Sequence, residues 1–135
     1  MDGTFLDDRK QFDHEQFDQL LTEFEKRGVH FIVASGRPYV RLKQDFKGFA
    51  IDVNVKGVSK GSGLERLLAK MGMTGNDLIA FGDGGNDIPM LDFAKYSYAM
   101  ANGMDKVKKH AKFIAPANTE NGVFRVLQKY LDEDK

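Results

Sequence analysis

The chain has 135 residues, 41% hydrophobic and 30% charged, with twenty basic side chains balanced by twenty acidic ones and no cysteine. That length suits one domain around a single core, and the charge balance gives no overall field to draw nucleic acid or an anionic membrane, so neither is expected as a partner. Without cysteine there are no disulfides, thiolate metal sites or thiol nucleophile, and the cytoplasm is the simplest compartment.

In chain order, Phe17, Leu20, Leu21 and Phe24 recur at helical spacing between His14 and Arg27. Gly28 stands where a left-handed C-terminal cap belongs. The run "VHFIVA" (29–34) is β-branched and aromatic, too short for a helix and followed by Ser-Gly, which predicts a buried strand. In "FAIDVNV" (49–55) apolar and smaller or polar residues alternate, which predicts a strand with one wetter face, near a sheet edge. Leu64, Leu67, Leu68 and Met71 mark a second helix closed by Gly72, and "LIAF" (78–81) is a further buried strand. There follow a strand "YSYAM" (96–100), a short polar helix near Met104 to Lys109, a strand "KFIA" (112–115), and a last helix carrying Val123, Val126, Leu127 and Leu131. Short apolar strands alternating with helices predict an α/β fold, a Rossmann-like three-layer sandwich on a mainly parallel sheet. No apolar run approaches the roughly 18 residues of a membrane span, and the first residues carry no leader pattern.

Ligands of such sheets bind beyond the carboxyl ends of the strands, so the residues that follow strands are the candidates. "GDGGNDIPML" sets Asp83 and Asp87 four apart in a glycine-rich turn with Asn86 between them. Like charges so close favour a cation, and oxygen ligands favour Mg2+. The same loop also reads as a plain turn with Asp87 capping the next helix. "ASGR" offers the Ser35 hydroxyl, the backbone amide of Gly36 and the Arg37 guanidinium, donors suited to phosphate, although Ser-Gly is also an ordinary turn. Lys60 opens a helix, where it opposes the helix dipole and would favour an anion, or is simply solvated beside a serine cap.

Taken together and in this order, "MDGTFLDD", "ASGRP", Lys60 and "GDGGNDIPML" resemble the four motifs of the haloacid dehalogenase superfamily of phosphohydrolases, most closely its Cof-type branch. The similarity runs over essentially the whole chain. The resemblance implies a Mg2+-dependent phosphatase of sugar phosphates or similar small phosphate esters, acting through an aspartyl-phosphate. It implies that Asp2 is general acid and base, with its main-chain carbonyl on Mg2+, and that Thr4 steadies the loop. Ser35 and Lys60 would hold the phosphoryl group, Asp83 would bind the metal directly, and Asp87 would support the metal from behind. Gly36, Arg37 and Asn86 would contact phosphate or substrate.

Two departures accompany the likeness. The family loop reads Asp-x-Asp-Gly-Thr with the first Asp as nucleophile; here x is Met1, which sets the nucleophile just upstream of the chain, together with the strand that leads into it. The large cap that relatives carry between the Arg37 and Lys60 positions is missing, with a seam expected near Phe46 and Lys47. Residues 1–135 are accordingly expected to form one core domain without its first strand or cap, which leaves the identity of the substrate and the oligomeric state unread.

The rival readings are a phosphoacceptor domain like a response-regulator receiver and a non-catalytic Mg2+ or phosphate-binding domain. A receiver places its acidic pair early and its lysine late, the reverse of the order found here. A dinucleotide site is disfavoured because Asp87 stands where the last glycine of G-x-G-x-x-G would be. His14, His30 and His110 lack metal spacing, Lys106, Lys108 and Lys109 read as a solvated helix face, and Asp7, Asp8 and Asp13 read as loop ends and a helix cap.

Overall fold

The computed structural model describes residues 3–34 and 59–133. Helix α1, His14–Lys26, starts where the Asp13 carboxylate accepts the Gln16 N–H at 3.0 Å and ends before Gly28 at φ +66°. This is the capping that the composition of its two ends predicts. Helix α2, Lys60–Lys70, begins after Ser59, whose side chain accepts the Ser62 N–H, and is followed by Gly72 at φ +72°. Strand β1, Ile79–Gly82, leads through a 3-10 turn, Gly85–Asp87, into α3, Ile88–Phe93, with Pro89 in its first turn, where its missing N–H costs nothing. Strand β2 is Tyr96–Met100, α4 is Asp105–Lys108, β3 is Phe113–Ala115 and α5 is Gly122–Glu133.

Among the described residues the sheet runs β1-β2-β3, and both pairings are parallel. Period-2 alternation sends neighbouring residues into two separate cores. Met100 and Ala115 join Phe17, Leu20, Phe24, Phe124, Leu127 and Leu131 of α1 and α5, whereas Ala80 and Ala99 join Leu64, Met90, Leu91 and Val107 of α2, α3 and α4. Helices on both faces of a parallel sheet make the three-layer α/β sandwich that the alternation of elements predicts. On the first face Phe81, Tyr98 and Phe113 stack across adjacent strands, with ring centroids 5.3 and 5.1 Å apart.

The run 29–34 departs from expectation, for no strand is assigned to it. Its side chains do alternate between the two cores, with Phe31 and Val33 toward α1 and α5 and Ile32 and Ala34 toward the other cluster. Burial pattern reports only which way side chains point; a strand also needs a ladder of paired backbone groups. Phe31, Val33, Ile79 and Phe81 all line one apolar cleft of about 710 Å³. The strand expected over 49–55, the seam near 46/47, and Asp2, Ser35, Gly36 and Arg37 lie outside the described residues. Among the described residues no helix is long and apolar enough to cross a membrane.

Candidate active site

The carboxyl end of β1 carries the acidic loop. Gly82 closes the strand, and the Asp83 carbonyl accepts the Met104 N–H at 3.1 Å, which ties the loop to the start of α4. The first residues of the chain meet this loop from across the sequence. Thr4, itself buried, donates its hydroxyl to Asp83 Oδ1 at 2.5 Å. Gly3 adopts φ +71° with its α-carbon pressed so close that a Cβ there would run into Asp83 Oδ2. Glycine alone satisfies both demands without strain, which gives the Asp-Gly-Thr order its physical reason.

Asp87, 5% exposed, has both carboxylate oxygens engaged. Oδ2 accepts the backbone N–H groups of Asp83 and Gly84 at 3.0 and 3.1 Å, and Oδ1 receives the Lys60 ammonium at 2.5 Å. Burial acts to raise its pKa, but the Lys60 charge and hydrogen bond with the two N–H donors outweigh it and hold the carboxyl below its ordinary value. The turn reading of this loop is therefore partly right, although the Asp87 side chain makes no capping hydrogen bond to α3 because its oxygens are used within the turn and by Lys60. Asp87 organises the turn, and through that turn it sets the position of Asp83. Its oxygens are spoken for, which suits a supporting role behind a metal better than direct coordination.

Lys60 reaches Asp87 because α2 and α3 touch. A Cβ on Gly61 would lie 2.6 Å from the Pro89 carbonyl carbon, so the small residue lets the two helix starts meet. The serine cap expected beside Lys60 is present, but the lysine is not a solvated one; its side chain is 18% exposed and paired. Asn86 is exposed at the rim, and Lys106 points its ammonium toward Gly85 from α4, so that part of the lysine patch faces the site. Among the described residues the histidines join no metal-ligating group, and His110 pairs with Asp92 at the surface at 3.0 Å.

A divalent cation fits this donor set. Asp83 offers carboxylate oxygen beside the Gly3–Thr4 loop, with no nitrogen or sulfur ligand grouped with it among the described residues, which is hard-cation chemistry. Lys60 is already committed to Asp87, which leaves the Asp83 carboxylate without an ion-pair partner among the described residues and open to a cation. No cluster of three or more metal-ligating side chains is complete among the described residues.

Sequence reasoning did not single out Asn102 and Asn118. Asn102 donates its amide to the Gly3 carbonyl at 2.7 Å, and Asn118 donates to the Leu6 carbonyl at 2.9 Å. Their signal is a contact across about a hundred residues, which no local pattern carries.

The profile of the haloacid dehalogenase-like hydrolases matches residues 1–51 and 42–127, nearly the whole chain. The chain belongs to this family. A 5-amino-6-(5-phospho-D-ribitylamino)uracil phosphatase of Escherichia coli, YbjI, is 40% identical over 85 residues, covering 63% of this chain and 31% of the relative. A phosphoglycolate phosphatase of Nitrosopumilus maritimus is 35% identical over 81 residues, covering 60% and 35%. The crystal structure of SMU.1108c from Streptococcus mutans superposes with a TM-score of 0.92 over 98% of this chain and 97% of that one at 23% identity, a likeness of fold alone. The chain spans about a third of the length of these two curated relatives. Haloacid dehalogenase-like membership accounts for the parallel sheet and for acidic residues following its strands.

Proposed function

We propose that this chain is the core of a Mg2+-dependent phosphatase that hydrolyses small phosphorylated metabolites, sugar phosphates or similar esters, through an aspartyl-phosphate intermediate in the cytoplasm. The observation that supports it most is the meeting of the Gly3–Thr4 loop with Asp83, while the Lys60–Asp87 pair holds the same acidic loop from the other side.

In this reading the nucleophile is the first carboxylate of the family's Asp-x-Asp-Gly-Thr loop, which attacks phosphorus as the ester oxygen leaves. Asp2 gives that oxygen its proton, then takes a proton from the water that cleaves the acyl phosphate. Ser35, Gly36 and Lys60 hold the phosphoryl oxygens, and Arg37 and Asn86 contact phosphate or the rest of the substrate. Asp83 and the Asp2 carbonyl hold the cation, and Asp87 keeps Asp83 in place. When bound, Mg2+ supplies the positive charge that offsets repulsion between an anionic nucleophile and an anionic ester. The named substrates of the two relatives are both small phosphate esters, and that class is the one proposed here.

The test is Mg2+-dependent hydrolysis of an aryl phosphate by the intact protein, with Asp83→Asn alongside. The variant should lose at least about a hundredfold in turnover, in line with losing a charge-stabilising group. Unchanged turnover in Asp83→Asn would remove the metal assignment. Stable self-phosphorylation from a small phosphodonor without ester turnover would favour the receiver-like reading instead.

A further inference from the structure

The loop from Gly3 to Leu6 is held by more than its contact with Asp83. The exposed Asn102, two residues past β2, donates its side-chain N–H to the Gly3 carbonyl at 2.7 Å, while its side-chain oxygen accepts the Asn118 backbone N–H at 3.0 Å. Asn118 is 5% exposed and donates its own side-chain amide to the Leu6 carbonyl at 2.9 Å and to Asp8 Oδ1 at 3.2 Å. Gly3 and Leu6 bracket Thr4, so the two carbonyls on either side of the Thr4–Asp83 hydrogen bond are gripped by one continuous chain of amides. The far end is equally fixed, since Asn118 begins the 3-10 turn that precedes α5, whose Val123 and Phe124 are buried in the core.

We infer that Asn102 is a positioning residue, backed by Asn118, which fixes the Gly3–Thr4 peptide so that the Thr4 hydroxyl stays on Asp83 and the loop keeps its approach to the acidic site. The inference deepens the phosphatase reading and rests on it for its catalytic consequence, but the clamp itself is a property of the fold. A carbonyl at 2.7 Å from an amide donor is in the range of a full hydrogen bond, and losing such a bond loosens a segment by about five- to tenfold. Among the described residues Asn102 touches none of the proposed reacting groups, so its removal should act on turnover through geometry and leave substrate affinity alone.

The experiment compares wild type, Asn102→Ala and Asn102→Asp in the intact protein. Aspartate keeps an oxygen for the Asn118 N–H but loses the donor and sets a negative charge against the Gly3 carbonyl. Hydrogen exchange over segment 3–8 should quicken about five- to tenfold in both variants, with exchange in α1 and α5 unchanged, and kcat for an aryl phosphate should fall while KM stays put. Wild-type exchange of segment 3–8 in Asn102→Ala, or its restoration by Asn102→Asp, would overturn the inference. If the wild-type protein hydrolyses no phosphate ester, the exchange comparison still decides whether the clamp exists, so failure of the phosphatase reading and failure of the clamp give different results.

Discussion

Removing the Lys60 ammonium tests how much of the acidic loop depends on one ion pair. Lys60→Met keeps most of the aliphatic stem that packs at the start of α2 and deletes the charge. Breaking a fully buried pair costs about 3 to 5 kcal/mol because the surviving ion is stranded. Here the survivor is not stranded, since Asp87 Oδ2 keeps the N–H groups of Asp83 and Gly84, and Lys60 itself is partly exposed. The expected loss is therefore nearer 1 to 3 kcal/mol at neutral pH. The sign of its pH dependence follows from Asp87. In the wild type its folded pKa lies below the ordinary 3.8, so it adds stability at pH above that value, and the stability is lost as pH falls through the depressed folded value. In Lys60→Met the lysine's lowering influence is gone while burial remains, so the pKa moves up and the carboxyl is neutral sooner on acidification. The deficit should thus be largest near pH 7 and shrink as pH falls toward 3.8 and below it, through the depressed wild-type value. Urea unfolding of Lys60→Met, Asp87→Asn and the double variant at several pH values isolates the coupling. A coupling energy below about 0.5 kcal/mol at pH 7, or a Lys60→Met deficit that ignores pH, would refute the electrostatic account of the loop.

Gly3→Ala places a methyl group against Asp83 Oδ2 at a left-handed residue, so it should cost about 1 kcal/mol or more in stability and weaken Mg2+ binding measured by calorimetry. Gly61→Val should wedge α2 away from Pro89 and cost about 1 to 3 kcal/mol, with Lys60→Met no longer adding to the loss because the pair is already parted. Tyr130 accepts or donates a 3.1 Å hydrogen bond with Tyr98, and burial together with that bond raises its pKa above the ordinary 10. Its stabilising contribution is complete below pH 10 and declines as pH rises beyond that value, so Tyr130→Phe should blunt alkaline destabilisation followed by circular dichroism.

Much of the fold could be read locally. The helical spacing of Phe17, Leu20, Leu21 and Phe24 and the glycines at 28 and 72 mark α1 and α2 to within a few residues, and "YSYAM" is β2 itself. The run 29–34 shows where local reading stops, since its side chains alternate as a strand's should while strand assignment depends on pairing. The site was legible to the extent that post-strand loops collect charge, which flagged Asp83 and Asp87, and that a lysine opening a helix opposes its dipole, which flagged Lys60. That Asp87 spends both oxygens on Lys60 and the turn, and that Asn102 and Asn118 hold Gly3 and Leu6, are facts of the third dimension. Asparagine after a strand is common enough that neither residue stands out until its partner a hundred positions away is known.

The contact of Gly61 with Pro89 works as a mechanical stop. Lys60 and Asp87 sit just ahead of the two touching residues, so sliding of one helix along the other changes the backbone span that the lysine stem must bridge to reach the carboxylate. With the Gly61 backbone against the Pro89 carbonyl, the helix starts can part but cannot come closer. The backbone span that the lysine must cross therefore has a fixed lower limit, and a drift in the sequence of either helix elsewhere along its length leaves that limit untouched.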